Sequence, residues 1–166
     1  VLASRFHAVG LVGVDLIVDP TDAVTVIEVN PRPTASMELF ERSGAGSIAG
    51  CHLNACGFAL PSAAPASQLQ PQPTWTWAKA VLFAAMPTPI SQPLIDAVAR
   101  EALAWTRADG GWPALADIPR PGQVIPAGAP VVTVFAAGRS HDAAFRLIRD
   151  RVAHVDRLLR QAPPGA

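Results

Sequence analysis

Residues 13–33, GVDLIVDPTDAVTVIEVNPRP, set polar groups into a run that would otherwise bury itself. Two stretches, 11–18 (LVGVDLIV) and 24–30 (VTVIEVN), are short and rich in Val and Ile, which suits a pleated strand. Asp19-Pro20-Thr21-Asp22 between them is a turn signal, so the pair predicts an antiparallel hairpin with a connection of about five residues. Side chains alternate across a strand, which puts Glu28 and Asn30 on one face. With Val18 paired near Thr25, Asp15 comes opposite Glu28, their Cβ atoms about 5 Å apart. Two carboxylates so placed repel unless a cation lies between them. Magnesium takes few protein oxygens and leaves its other positions to phosphates and water. Asp15, Glu28 and Asn30 are therefore the predicted metal ligands. Charged strand residues ordinarily lie on a solvated face; here the Asn-Pro-Arg-Pro that follows the strand decides for a site. Pro31 and Pro33 restrict the chain to extended conformations, which aims Arg32 at the same place.

Length and charge bound the remaining classes. The chain has 166 residues, which suggests one domain or two small ones, and half of them are hydrophobic. A net charge of +0 argues against nucleic acid or a membrane surface as partner. Apolar runs fall short of the roughly 18 residues a membrane helix needs, and no secretory pattern opens the chain. Cys51 and Cys56, five apart on an expected helix, face different ways and predict neither a disulfide nor a zinc site. A reducing, cytoplasmic setting is the expectation.

Further along, Ser36 as N-cap opens an expected short helix over 36–43 that ends near Gly44, and 45–56 reads as a second helix stopped by Gly57. His52 on it reads as a surface or partly packed side chain. Residues 58–74 have the composition of a flexible linker, rich in Pro, Ala, Ser and Gln. Residues 75–85 then predict a strand, and Leu94, Ile95, Val98, Ala102 and Trp105 mark a helix over 92–106. The four tryptophans read as packing groups rather than as a stacking platform. Turns at Pro121-Gly122 and Ala127-Gly128 separate short apolar strands, a small-barrel or hammerhead pattern. Ser140, Asp142 and the stripe Phe145, Ile148, Val152, Val155 and Leu159 predict an amphipathic helix over 140–160 with its arginines solvated. Residues 161–166 read as a frayed tail.

The Glu28–Asn30–Pro31–Arg32 pattern, behind a strand bearing Asp15, resembles the second half of an ATP-grasp domain. The nearest resemblance is to a predicted carboligase group that includes the tyramine–glutamate ligase of methanofuran synthesis, where Asn-Pro-Arg-Pro-Thr/Ser-Ala-Ser also precedes a helix like 37–41. Residues 112–138 resemble the C-terminal subdomain of biotin-carboxylase-like members, a hybrid of the biotinyl/lipoyl type. With no lysine after Lys79, that piece would carry no swinging arm and would serve as a structural lid. The resemblance implies an α+β fold: the second half of an ATP-grasp domain over 1–57, an antiparallel sheet with helices. The linker 58–74 and a small β-rich, hybrid-motif-like subdomain with a terminal helix over 75–166 would follow. It implies ATP and Mg2+ as cofactors, with Asp15, Glu28 and Asn30 on the magnesium. Glu28, Asn30 and Arg32 would bind the nucleotide, and Arg32 would act on the transferred phosphoryl group or acyl phosphate.

Such an enzyme also needs a glycine-rich loop, lysines and an adenine pocket N-terminal to this motif. The chain opens at Val1 rather than Met, and its single lysine is Lys79. The expectation is a fragment, or a chain whose missing N-terminal half is supplied by a partner polypeptide. The leading function is part of a ligase that activates a carboxylate as acyl phosphate and couples it to an amine, with one-carbon cofactor synthesis as the suggested setting. Its partners would be small carboxylates and amines and, in a homodimer, a second copy. The alternative is a non-catalytic regulatory or scaffold domain derived from the same fold.

Overall fold

The computed structural model describes residues 5, 7–44, 46–58 and 75–161. The expected linker therefore lies outside the described residues save for Phe58, as do the last five residues of the tail. The chain divides into two compact units, Val1–Gln72 and Pro73–Ala166. Each is α+β with antiparallel pairing.

In the first unit, β1 (Gly13–Val18) and β2 (Val24–Asn30) form a two-stranded antiparallel sheet. Asp19 builds the turn: its Oδ1 accepts from the Thr21 N–H at 2.7 Å, the Thr21 hydroxyl at 2.7 Å and the Ala23 N–H at 3.0 Å. Val14, Leu16, Val18, Val24 and Val26 on one face are all exposed. A 3-10 turn (Ala35–Met37) leads into α1 (Glu38–Arg42), and α2 spans Ile48–Ala55. The first helical segment thus begins at Thr34 rather than at the expected cap Ser36, because Met37 Sδ accepts from the Thr34 N–H at 3.4 Å. The second starts three residues later than expected, where Ser47 Oγ accepts from the Gly50 N–H at 3.0 Å. Glu41 Oε1, reaching across from α1, takes the Ile48 N–H at 2.6 Å, where a carboxylate also suits the positive end of the helix.

The second unit centres on β7 (Pro130–Gly138), the middle strand of a three-stranded sheet ordered β3 (Thr76–Phe83), β7, β5 (Leu115–Ala116). Residues 131–138 are all buried, as the near-continuous apolar run VVTVFAAG requires of a strand covered on both faces. Its one hydroxyl, Thr133, is satisfied by Asp117 at 2.7 Å. Two helices, α3 (Gln92–Ala108) and α4 (His141–Gln161), supply Leu94, Val98, Ile148 and Val155 to the core against Val132, Val134 and Ala136. Gly138 allows the turn into α4, since a Cβ there would lie 2.4 Å from the Ala144 nitrogen. Two-residue strands β4 (Thr88–Pro89) and β6 (Val124–Ile125) pair separately.

Three expectations change here. The short strands of 112–138 form no barrel among the described residues, and the unit carries more helix than strand. The reason is that 17 and 21 residues of amphipathic helix, not sheet closure, cover the apolar face of β7. Phe145, expected in the core stripe, is 54 % exposed and stacks on His141 with centroids 6.4 Å apart. Arg151, expected on the solvated face, is buried: its Nη1 and Nη2 donate to Asp109 at 2.5 and 3.0 Å, and Nη1 also to the Phe135 carbonyl at 2.6 Å. The guanidinium lies 5.1 Å from the Trp105 ring centroid.

Candidate functional site

Four of the site residues read from the sequence sit on or directly after the hairpin of the first unit. The register pairs Asp15 with Glu28 and Gly13 with Asn30. That outcome depends on an irregularity. At the turn end Val18 pairs with Val24 rather than with Thr25, a register that would carry Asp15 opposite Ile27. A bulge between Asp15 and Leu16 leaves Ile27 as the extra residue and restores the carboxylate pair. Bulges re-aim side chains in this way, and one placed next to a candidate site matches their usual use.

Asp15, Glu28 and Asn30 therefore share one face, and Asn30 Nδ2 donates to Asp15 Oδ2 at 3.4 Å. The Glu28 carboxylate makes no hydrogen bond or ion pair among the described residues. Both carboxylates are exposed, and like charges directly opposite on a sheet destabilise it. A hard cation between them would reverse that sign. No group of three or more His, Cys, Asp and Glu stands ready for a metal among the described residues; the third oxygen here is an amide. A half-turn of the Asn30 amide exchanges Nδ2 for Oδ1 and points an acceptor at the same spot. Two carboxylates and one amide oxygen on an exposed face fit magnesium, which keeps several positions for other oxygens.

The segment after β2 does not run extended as the two prolines suggested. The Arg32 N–H donates to the Asn30 carbonyl at 2.8 Å, a three-residue turn about Pro31. The Arg32 guanidinium is exposed and donates to the Pro33 carbonyl at 3.3 Å, not to Asp15, Glu28 or Asn30. The bend instead brings Thr34 over the start of β1. A Cβ on Gly13 would lie 2.4 Å from Thr34 Cγ2, so glycine is what lets the loop cross the Asp15 face. Thr34 Oγ1 and Ser36 Oγ are 3.1 Å apart beside it.

The sequence reading missed what holds this hairpin at its other end. His52 Nδ1 accepts from the Leu11 N–H at 3.1 Å, and a Cβ on Gly10 (φ 83°) would sit 2.5 Å from that nitrogen. His52 is thus a structural tie between α2 and the chain leading into β1. The free thiol of Cys56 lies 3.9 Å from its Nε2.

A family model of the ATP-grasp domain matches residues 2–36. That stretch contains β1, β2 and Asp15, Glu28, Asn30 and Arg32, and it stops before the second unit. The match makes this stretch similar to part of an ATP-grasp domain, a family whose members are in general ATP-dependent ligases. Comparison with curated proteins and with solved structures gave no match. No helix among the described residues is long and apolar enough to cross a membrane.

Proposed function

We propose that this chain is part of an ATP-grasp ligase that activates a carboxylate as its acyl phosphate and passes the acyl group to an amine. The carrying observation is the Asp15–Glu28 pair, set opposite each other by the bulge with Asn30 alongside, inside the stretch matched by the ATP-grasp model. In this reading Asp15, Glu28 and Asn30 hold magnesium. Bound there, the ion would offset the negative charge of the phosphates of ATP.

The chain's own residues do the rest by position. With no cation between them Asp15 and Glu28 would repel phosphate oxygens, so the pair would admit a phosphate only together with its metal. Arg32 swings from the Pro33 carbonyl to the transferred phosphoryl group, where its planar donors suit phosphate geometry and act on charge that develops in the transition state. Thr34 and Ser36 offer hydroxyls to the acceptor carboxylate. The glycine-rich loop, the lysines and the adenine pocket come from an N-terminal half, in the same polypeptide or a partner. The resemblance of residues 30–36 to the tyramine–glutamate ligase group suggests an amine acceptor of that kind.

The test uses protein that includes the ATP-binding half. Glu28→Gln keeps shape and strand propensity while removing the charge, and should lower magnesium-dependent ATP turnover by about 100-fold or more. Undiminished turnover removes the metal assignment. Phosphate release measured against a panel of amino acids and amines then fixes the reaction; release that needs no carboxylate overturns the ligase reading.

A further inference from the structure

A groove of about 1030 Å³ runs between β3 and α4 in the second unit, and it shares no residue with the hairpin site. Its floor is apolar: Ala78, Ala80 and Leu82 from β3, Phe145 and Val152 from α4. The two alanines create the depth, because α4 packs over β7 while small side chains on β3 leave the edge of the sheet unfilled. Phe145 is the exposed member of the helix stripe, and so an aromatic ring faces the groove rather than the core.

The wall is charged unevenly. Arg146, Arg149 and Arg160 line it against Asp150 and Asp156; Lys79 belongs to the opposite face of β3, with its ammonium 5.6 Å from the Phe135 ring centroid. Arg160 is spent on Asp156 at 2.7 Å. Arg146 and Arg149 make no ion pair among the described residues; Arg149 lies instead 5.9 Å from the Phe145 ring centroid. An apolar floor under an excess of positive charge is the complement of a segment that alternates aliphatic and acidic side chains.

We propose that this groove docks such a segment, an acidic, aliphatic-patterned stretch of a partner protein. Its aliphatic side chains would enter over Ala78, Ala80 and Phe145, and its carboxylates would meet Arg146 and Arg149. The helix from His141 to Arg160 measures roughly 28 Å at 1.5 Å per residue, and an extended peptide of about eight residues spans a similar length. Nucleic acid is the weaker occupant, because Asp150 and Asp156 stand in the groove and the chain's net charge is zero.

The probe is a fluorescein-labelled octapeptide of alternating valine and glutamate, titrated into the full chain and followed by anisotropy. It should bind, more weakly as salt rises, while the valine–lysine counterpart should not. Arg146→Glu with Arg149→Glu should weaken binding about tenfold or more, near 1.4 kcal/mol, and Phe145→Ala should weaken it separately. All three positions are exposed, so an unchanged melting curve establishes that the variants fold. Three results each overturn the proposal: no binding of the glutamate peptide at millimolar concentration, equal binding by the charge-reversed protein, or tighter binding of an eight-nucleotide oligothymidylate than of the peptide.

Discussion

The hairpin β1–β2 and the central strand β7 are built from the same kind of residue and meet opposite fates. VTVIEVN and VVTVFAAG are both aliphatic, β-branched and antiparallel. In the first, Leu16, Ile17, Val18, Val24 and Ile27 are exposed; in the second, every residue from Val131 to Gly138 is buried. Strand composition therefore states that a pleated, buried surface is intended, but not which part of a protein covers it. The second unit contains its own cover in α3 and α4. The first unit leaves its aliphatics exposed on the same hairpin that carries the metal-ligand candidates.

The sharpest way to break the comparison is at Arg151, in the ion pair that the second unit buries. Arg151→Ala leaves Asp109 buried without a partner, and should cost about 3–5 kcal/mol in denaturant unfolding of the second unit. Combining it with Asp109→Leu should recover most of that loss, because replacing both charges removes the orphan. A small effect of the single substitution would mean that the pair is hydrated and that the buried-core description of this unit is wrong.

The same deletion made in both regions gives the next largest contrast. Ile148 is 5 % exposed and Ile17 is 55 % exposed. Ile148→Ala should destabilise by about 2–5 kcal/mol, and Ile17→Ala should stay within about 0.5 kcal/mol. If Ile17→Ala costs as much as the core deletion, the hairpin is covered in solution.

How legible these regions were follows from the same contrast. The facing of Asp15 and Glu28 could be read from strand periodicity and loop length, yet the reading used a register one residue off at the turn. The bulge that repairs it leaves no mark in VTVIEVN, where no glycine interrupts the strand. The fold of the NPRP segment was less legible, because prolines restrict φ without choosing between an extended chain and a turn about Pro31. Arg151 did carry a signal: it lies three residues after Ile148 and four before Val155, on the buried stripe. Its neighbours Arg146, Arg149 and Arg157 drowned that signal, and Asp109 stands 42 residues away, beyond any local pattern. Helices α3 and α4 were legible nearly to their ends, since stripe and caps agree along each of them.

The smallest expected effect is at the turn that joins the exposed ladder. Asp19 has its carboxyl held below the ordinary 3.8, first by the Thr21 hydroxyl, then by the backbone N–H groups of Ala23 and Thr21. All three donate to the charged form, so the folded turn favours it relative to the unfolded chain. The stabilisation is therefore complete above the unfolded value and fades as pH falls through the lowered one, that is, below about pH 4. Amide exchange at Thr21 and Ala23, followed from about pH 6 downward, should show protection that weakens in that window after correction for intrinsic exchange. Asp19→Asn removes the titration and should flatten the profile while leaving Val131–Phe135 unaffected, because those residues belong to the other unit. The effect is slight because the group is fully exposed and water screens it. A profile that stays flat in the unmodified chain would mean that the turn is not held by this carboxylate, and that the hairpin's register rests on the bulge alone.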